Sequence, residues 1–213
     1  MSILGEVRDV VSYVDLAGIA AAAPAAWPGF VEMCRKRFAA FADSKDPKSA
    51  LDRLNAFRIL CALRHGPYGV ERLNGFVRKL LGRGCPVPMM ITQNDRLQDV
   101  ANGDVGVVMP DDPRRLHLPV DGGTRSVRLE LLPAVEAAFA TTIHKSQGSE
   151  FDDVAIVLPP DGDSPLLTRE ILYTGITRTK GSVSIFAGEA SVKACCEKTV
   201  ERVTGLTKRE RAV

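Results

Sequence analysis

The segment AFATTIHKSQGSEFDDVAIVLP, residues 138–159, contains two short apolar runs separated by a polar turn. Apolar runs of this length, bounded by polar residues, are typical of buried strands in a parallel sheet. The turn offers the hydroxyl, amide and backbone donors of Ser146, Gln147, Gly148 and Ser149. Such groups hold phosphates and sugars at the carboxyl ends of α/β strands. On these residues alone, a polar connection with Gly148 at a positive φ is the simpler interpretation.

The next segment, LLTREILYTGITRTKG at residues 166–181, predicts a helix that Thr168 caps and that ends before Gly181. Glycine within a helix costs about 1 kcal/mol relative to alanine, so Gly175 indicates close packing. Arg178 is expected on the last turn of this helix. It complements the helix dipole, makes a surface ion pair, or donates to a transferring phosphoryl group.

The upstream half of the chain has a helical texture. Apolar spacing predicts a helix over residues 28–42, and Asp46 followed by Pro47 predicts the start of a second helix that runs to about Ala56. A buried strand is expected at residues 58–63, a turn at 66–69 and a helix from Val70 to Gly82. Apart from these elements, residues 1–56 are interpreted as packing helices.

The texture between Cys85 and Leu132 is different. Short β-prone runs, VPMMIT, DVGVVMP, LHLPV and SVRLEL, alternate with turns rich in Asn, Asp, Gly and Pro. These runs predict a small barrel of four or five strands. The α/β texture returns with strand SVSIFA at residues 182–187 and a helix from Glu189, so a β insert interrupts an α/β domain.

Composition limits the class of protein. The chain has 213 residues and 45% hydrophobic content. Its net charge is only +2, so any binding to nucleic acid has to come from a local basic surface. Five cysteines without zinc-ligand spacing indicate a reducing, cytoplasmic setting. The alanine-rich stretch at residues 16–27 is too short to cross a bilayer and contains Pro24, so no membrane association is expected.

Four segments, taken together, resemble the RecD family of superfamily 1 DNA helicases, the alpha subunits of exodeoxyribonuclease V. ATTIHKSQGSEF (140–151) resembles helicase motif V, and ILYTGITRTKGSVSIF (171–186) resembles motif VI. FRILCALRHGPYGVERLN (57–74) is similar to the motif IV region, and MMITQNDRLQDVANGDVGVVM (89–109) to the entry into an SH3-like insert. The segments occur in the family's order, which makes the resemblance more specific than any one motif.

The resemblance implies an α/β fold: a RecA-like second motor domain of the P-loop NTPase type, with a parallel sheet flanked by helices and an inserted SH3-like β-barrel. It implies three parts: residues 1–85 with the first half of the motor domain, 86–137 with the insert, and 138–213 with the second half.

The resemblance also implies roles for individual residues. Arg178 is then the catalytic arginine finger toward the γ-phosphate of ATP. The implied nucleotide contacts are Gln147, Gly148, Glu150 and Arg64, and the implied DNA contacts are Thr142, His144 and Ser146. No metal site is assigned, because Asp152, Asp153, Asp161 and Asp163 are interpreted as polar turn residues around strand VAIVLP.

The sequence departs from a complete motor in one respect. No GxxxxGK[ST] motif occurs, so ATP with Mg²⁺ is expected to bind mainly to an N-terminal motor domain of the same gene product. Met1 is therefore interpreted as the start of a fragment that is inactive alone.

The function that the resemblance implies is 5′-to-3′ DNA unwinding in double-strand-break repair and recombination, with single-stranded DNA and the RecB and RecC subunits as partners. The alternatives are a related superfamily 1 helicase working without RecB and RecC, and a non-enzymatic adaptor that binds nucleic acid or protein.

Overall fold

The structure, a computed structural model, describes residues 11–16 and 24–199. Along the chain its elements are β1 (Val11–Asp15), α1 (Phe30–Ala42), α2 (Pro47–Leu54), β2 (Phe57–Cys61), α3 (Val70–Leu81), β3 (Val87–Ile91), β4 (Val105–Val108), β5 (Arg115–Val120), β6 (Gly123–Arg128), β7 (Val135–Ala137), β8 (Ala140–Thr142), β9 (Asp153–Val157), α4 (Arg169–Ile176), β10 (Val183–Ala187) and α5 (Glu189–Glu197). Short 3-10 helices lie at Pro24–Ala26, Leu129–Leu131 and His144–Ser146.

The first of two five-stranded sheets is parallel throughout, with the strand order β1-β10-β9-β2-β8. Strand β2, which lies between β9 and β8, is buried along its whole length. That burial is the reason for the nearly continuous apolar run in the sequence, since a parallel sheet is covered on both faces. The predicted parallel sheet with flanking helices is therefore confirmed.

Alternate side chains of each strand enter two different hydrophobic clusters. Ile59 packs in the cluster that contains α1, α2 and α3, whereas its neighbour Leu60 packs in the cluster that contains α4 and α5. The same alternation places Ala155 in the first cluster and Ile156 in the second. Because successive side chains of a strand point to opposite faces, the helices cover both faces of the sheet.

The second sheet is antiparallel, with the order β6-β5-β4-β3-β7. Its turns are closed by glycines in the left-handed region, with a φ of 100° at Gly103 and 77° at Gly122. Part of its apolar surface forms a cluster of its own. Val107 and Met109, however, belong to the same cluster as α1, α2 and α3. The two sheets therefore share hydrophobic core.

The predicted start of α2 is confirmed in detail. The Asp46 carboxylate accepts a hydrogen bond of 2.9 Å from the Ser49 backbone N–H, and Pro47 occupies the first turn. The backbone and side-chain hydrogen bonds from Ser49 hold the pKa of the Asp46 carboxyl below its ordinary value. The sequence alone predicted this helix start correctly because Asp46 and Ser49 are neighbours in sequence.

The interpretation of residues 1–56 as packing helices is wrong for Val11–Asp15, which form the edge strand β1 beside β10. Four of its five residues are exposed, so the strand lacks the apolar run that marks the other parallel strands. The predicted outer bounds at residues 1 and 213, and residues 17–23 of the alanine-rich stretch, lie outside the described residues. Within the described ranges, no helix is both long and apolar enough to cross a membrane.

Candidate functional site

The polar turn after β8 is built by local hydrogen bonds. Residues His144–Ser146 form one 3-10 turn, in which the Ser146 hydroxyl donates to the Ile143 carbonyl at 2.7 Å. Gly148 then has a φ of 86°, with open space where a Cβ atom would lie. The side chains or backbone of Gln147, Gly148, Ser149 and Glu150 are exposed. The turn therefore presents donors to the exterior, and the positive φ expected for Gly148 is confirmed.

Helix α4 places the second segment against this turn. The Thr168 hydroxyl caps the helix by accepting from the Ile171 N–H, and Gly175 faces the sheet. A Cβ atom on Gly175 would come within 3.0 Å of Ile156 Cδ1, so the close packing expected of this glycine is confirmed. The helix ends at Ile176, and the prediction that Arg178 lies on its last turn is wrong by two residues.

Arg178 is fixed by three hydrogen bonds of 3.2 Å each. Its guanidinium donates to the carbonyls of Thr174 and Ser149 and to the Thr177 hydroxyl. The Phe151 N–H also donates to the Arg178 carbonyl at 2.8 Å, and Phe151 forms a parallel bridge with Thr179. The two segments that sequence analysis singled out are thus directly bonded to each other.

The charge environment of Arg178 leaves its cation available. Its side chain is half-buried, and across residues 11–16 and 24–199 no carboxylate lies within ion-pair distance of the guanidinium. Glu150, on the same turn, pairs instead with Lys180 at 3.2 Å, and both side chains are largely exposed. Lys180 was not among the predicted site residues, although it lies within the quoted motif two positions after Arg178.

Arg58, on β2, contacts Phe151, the residue that follows the polar turn. It is buried on β2, donates to the Ala138 carbonyl, and its guanidinium lies 4.9 Å from the centre of the Phe151 ring. Burial lowers the pKa of Arg58 to about 10, which still leaves it charged at neutral pH. A buried cation thus packs against the residue that follows Glu150.

The three predicted DNA contacts lie at the carboxyl end of β8 but differ in access. His144 is exposed, and Thr142 is half-buried with its hydroxyl accepting from the Lys145 N–H at 3.3 Å. Ser146 is only 2% exposed, and its hydroxyl is used within the turn. The geometry gives Ser146 a structural role in this turn, and a direct contact by its side chain stays a prediction.

Arg64 lies in the loop after β2, the strand next to β8. Its guanidinium makes an ion pair of 2.7 Å with one oxygen of Glu136, and Lys145 binds the other oxygen of the same carboxylate at 2.8 Å. Arg64 also lies 3.7 Å from Glu71. Glu136 belongs to β7 of the antiparallel sheet and carried no signal in the sequence. Lys145 was missed although it directly follows His144.

Of the aspartates interpreted as polar turn residues, Asp161 takes part in a turn, whereas Asp153 is the first residue of β9 and that interpretation is wrong for it. Asp153 accepts from the Ser182 N–H at 2.7 Å and pairs with Arg37, and Asp161 accepts from the Asp163 N–H at 3.4 Å. The bonds of Asp153 join α1 and the residue before β10 to the start of β9.

Comparison with known proteins agrees with this placement. A family model described as the UvrD-like helicase C-terminal domain matches residues 137–186, a range that contains both the turn and Arg178. The RecBCD enzyme subunit RecD of Mycolicibacterium smegmatis is 42% identical over 178 residues, which are 78% of this chain and 31% of that protein. The corresponding subunit of Haemophilus influenzae is 38% identical over 172 residues, 73% of this chain and 25% of that protein.

A third relative has a different name. The ATP-dependent RecD2 DNA helicase of Deinococcus radiodurans is 31% identical over 171 residues, 74% of this chain and 24% of that protein. The chain therefore spans between 24% and 31% of the length of these three relatives. Among solved structures, Bacteroides Pif1 bound to single-stranded DNA is 18% identical, with a TM-score of 0.43 over 73% of this chain and 44% of that chain. This likeness is too low to bear on the fold.

Proposed function

The chain belongs to the RecD-related helicases and matches their C-terminal portion, and from this premise we propose that it is the C-terminal motor domain of an ATP-dependent 5′-to-3′ DNA helicase. Double-strand-break repair and recombination are the proposed setting, because two of the relatives are named as RecBCD subunits. A cytoplasmic location follows from the same proposal.

The single observation that carries the proposal is the contact between Arg178 and the turn at Gly148. Arg178 donates to the Ser149 carbonyl, 29 residues away in sequence, and its carbonyl accepts from the Phe151 N–H. A planar, permanently charged donor beside exposed backbone groups suits a phosphate chain. An unpaired guanidinium at this position would stabilise negative charge that develops as a phosphoryl group is transferred.

These residues fit a nucleotide that another domain delivers. Gly148 leaves open space where a side chain would lie, and Gln147 and Glu150 are exposed on either side of it. When bound with Mg²⁺, ATP supplies a phosphoanhydride bond whose hydrolysis drives movement. In our proposal Gln147, Gly148 and Glu150 bind and orient the nucleotide and Arg178 neutralises its terminal phosphate. An N-terminal motor domain of the same gene product would hold most of the ATP and the metal.

Single-stranded DNA is the proposed track. Thr142 ends the edge strand β8 and His144 follows it, and both would contact the DNA backbone there. Ser146 would donate to the DNA only if its hydroxyl left the Ile143 carbonyl. Contacts to backbone and sugar tolerate any base sequence, as a translocating enzyme requires.

The antiparallel sheet is proposed to be an SH3-like insert, with domain limits at residues 1–85, 86–137 and 138–213. Its support is the position of the five strands β3 to β7 between two halves of the parallel sheet. RecB and RecC are the proposed partner subunits. The likeness to the RecD2 helicase keeps a helicase working without them as the second candidate.

The proposal is tested by joining this chain to a Walker-bearing N-terminal half and measuring DNA-stimulated ATP hydrolysis. Arg178→Ala is expected to lower the turnover number by about a thousandfold, the order of an arginine finger, while nucleotide still binds. Arg72→Ala, at an exposed position of α3, is the matched control and should leave turnover unchanged.

An unchanged turnover number in Arg178→Ala, with Arg72→Ala also unchanged, would refute the catalytic role of Arg178. Absence of any hydrolysis by the joined wild-type protein that still binds DNA would instead favour the adaptor function.

A further inference from the structure

We propose that Arg64 and Lys145 form a binding pair for one backbone phosphate of single-stranded DNA, and that Glu136 occupies this position until DNA arrives. The proposal rests on the function proposed above and adds a phosphate site to it. No role for Lys145 or Glu136 follows from the motifs, and Arg64 moves from a nucleotide contact to a DNA contact.

The geometry of the carboxylate carries the inference. Arg64 Nη2 lies 2.7 Å from Glu136 Oε2, and Lys145 Nζ lies 2.8 Å from Glu136 Oε1. Each oxygen thus has its own cation. A phosphodiester also has two non-bridging oxygens and one negative charge, so it can replace the carboxylate without changing the net charge of the group.

The position of the pair favours DNA over the nucleotide. Arg64 follows β2 and Lys145 follows β8, and the carboxyl ends of these neighbouring parallel strands lie at one edge of the sheet. Lys145 is bonded through its backbone to Thr142, a proposed DNA contact. Arg178, by contrast, is bonded to Ser149 at the other end of the turn.

The electrostatics make the exchange feasible. The side chains of Arg64, Lys145 and Glu136 are 46%, 28% and 23% exposed, so solvent screens both ion pairs and their net strength is small. Only the backbone of Glu136 is held by its strand, because β7 pairs with β3 through Met90. The chain as a whole has a charge of only +2, so DNA binding requires a local basic surface. Two cations converging on one point provide it once Glu136 is displaced, and Glu71 stays 3.7 Å from Arg64.

The experiment measures binding of fluorescein-labelled oligo(dT) to the 213-residue chain by anisotropy over a series of salt concentrations. Glu136→Gln keeps the shape and removes the charge, and we expect it to raise the affinity by about threefold to tenfold at low salt. Glu130→Gln is the matched control, because it removes the same charge from an exposed position beside β6 of the same sheet. It should change the affinity by less than about twofold.

A second substitution tests the cations directly. Lys145→Met added to Glu136→Gln should abolish the gain in affinity and lower the slope of log affinity against log salt by about 0.7, the value for one phosphate contact on a single strand. A thermal melt of each variant shows whether the fold is kept. If Glu136 only ties β7 to the parallel sheet, Glu136→Gln lowers the melting temperature and brings no gain in affinity.

Unchanged or weaker oligo(dT) binding by folded Glu136→Gln overturns the proposal, as does a gain confined to ATP measured by calorimetry on the same variants. The proposed function is judged separately by the Arg178→Ala turnover. Loss of turnover together with no gain from Glu136→Gln therefore rejects the phosphate pair and keeps the motor domain, whereas failure of both rejects both.

Discussion

Replacing Gly175 with alanine sets two opposed effects against each other in one helix. Alanine favours the helix by about 1 kcal/mol over glycine, and less near the helix end, where Gly175 lies. Its Cβ atom, however, would come 3.0 Å from Ile156 Cδ1 and 3.5 Å from Ile143 Cδ1. A contact of 3.0 Å is tighter than nearly all real Cβ contacts, so Ile156 has to move by a few tenths of an ångström.

Ile156 has little room for that movement, because its side chain is fully buried between the sheet and α4. Overpacking of this kind typically costs about 1–3 kcal/mol, which exceeds the helical gain. We therefore expect Gly175→Ala to lower the free energy of unfolding by about 1 kcal/mol, the difference of the two effects. The measurement is urea unfolding of the 213-residue chain followed by circular dichroism.

Gly75→Ala in α3 is the matched control. Gly75 is exposed, in mid-helix, and nothing lies within 4 Å of the added Cβ, so only the helical gain applies. The free energy of unfolding should rise by about 1 kcal/mol, and the two variants should differ by about 2 kcal/mol. Equal stabilisation of both variants would show that α4 does not pack on Ile156 as described.

Three other predictions concern buried and capping groups. The Thr141 hydroxyl is buried without a hydrogen-bond partner among the described residues, so Thr141→Val should raise the free energy of unfolding by about 1 kcal/mol in urea. The pKa of Asp46 is lowered in the folded chain, so the stability that its carboxylate contributes is present above its ordinary pKa of 3.8 and is lost as the pH falls below that value. Asp46→Asn should therefore reduce the pH dependence of the free energy of unfolding in that acid range and leave the pH dependence near pH 7 unchanged. A thiol reagent should modify Cys196 rapidly in the folded chain, and the four buried cysteines only after denaturation, because burial raises the pKa values of Cys34, Cys61, Cys85 and Cys195. Rapid modification of more than one thiol without denaturant would contradict this.

The sequence was most informative where the determining contacts are local. The cap at Asp46 and the glycine turn at Gly148 depend on residue type and near neighbours, and both were confirmed. The close packing of Gly175 was also confirmed, because a glycine inside a helix indicates it, but its partner Ile156 is distant in sequence and was not predicted. The end of α4 was misplaced because the Thr177 hydroxyl and the Arg178 guanidinium both donate to the Thr174 carbonyl. Side-chain donors of this kind satisfy the last carbonyls of a helix and allow it to end early.

Contacts between distant segments could not be derived in this way. The meeting of Arg64, Lys145 and Glu136 requires that β2 pairs with β8 and that β7 pairs with β3, and neither pairing has a local signature. Strand β1 was missed for the same reason, since its exposed residues give no apolar period and only its pairing with β10 defines it. The resemblance to a family supplied the order of the motifs but not these partners.

The presence of Val107 and Met109 in the same cluster as α1, α2 and α3 makes the two sheets mechanically one body. A flap joined by a hinge could swing while the rest stayed still, but interdigitated side chains resist sliding, because protein interiors are packed as densely as organic crystals. A force on the antiparallel sheet is consequently transmitted to the strands of the parallel sheet that lie beneath Arg178. Heating should melt both sheets in a single calorimetric transition.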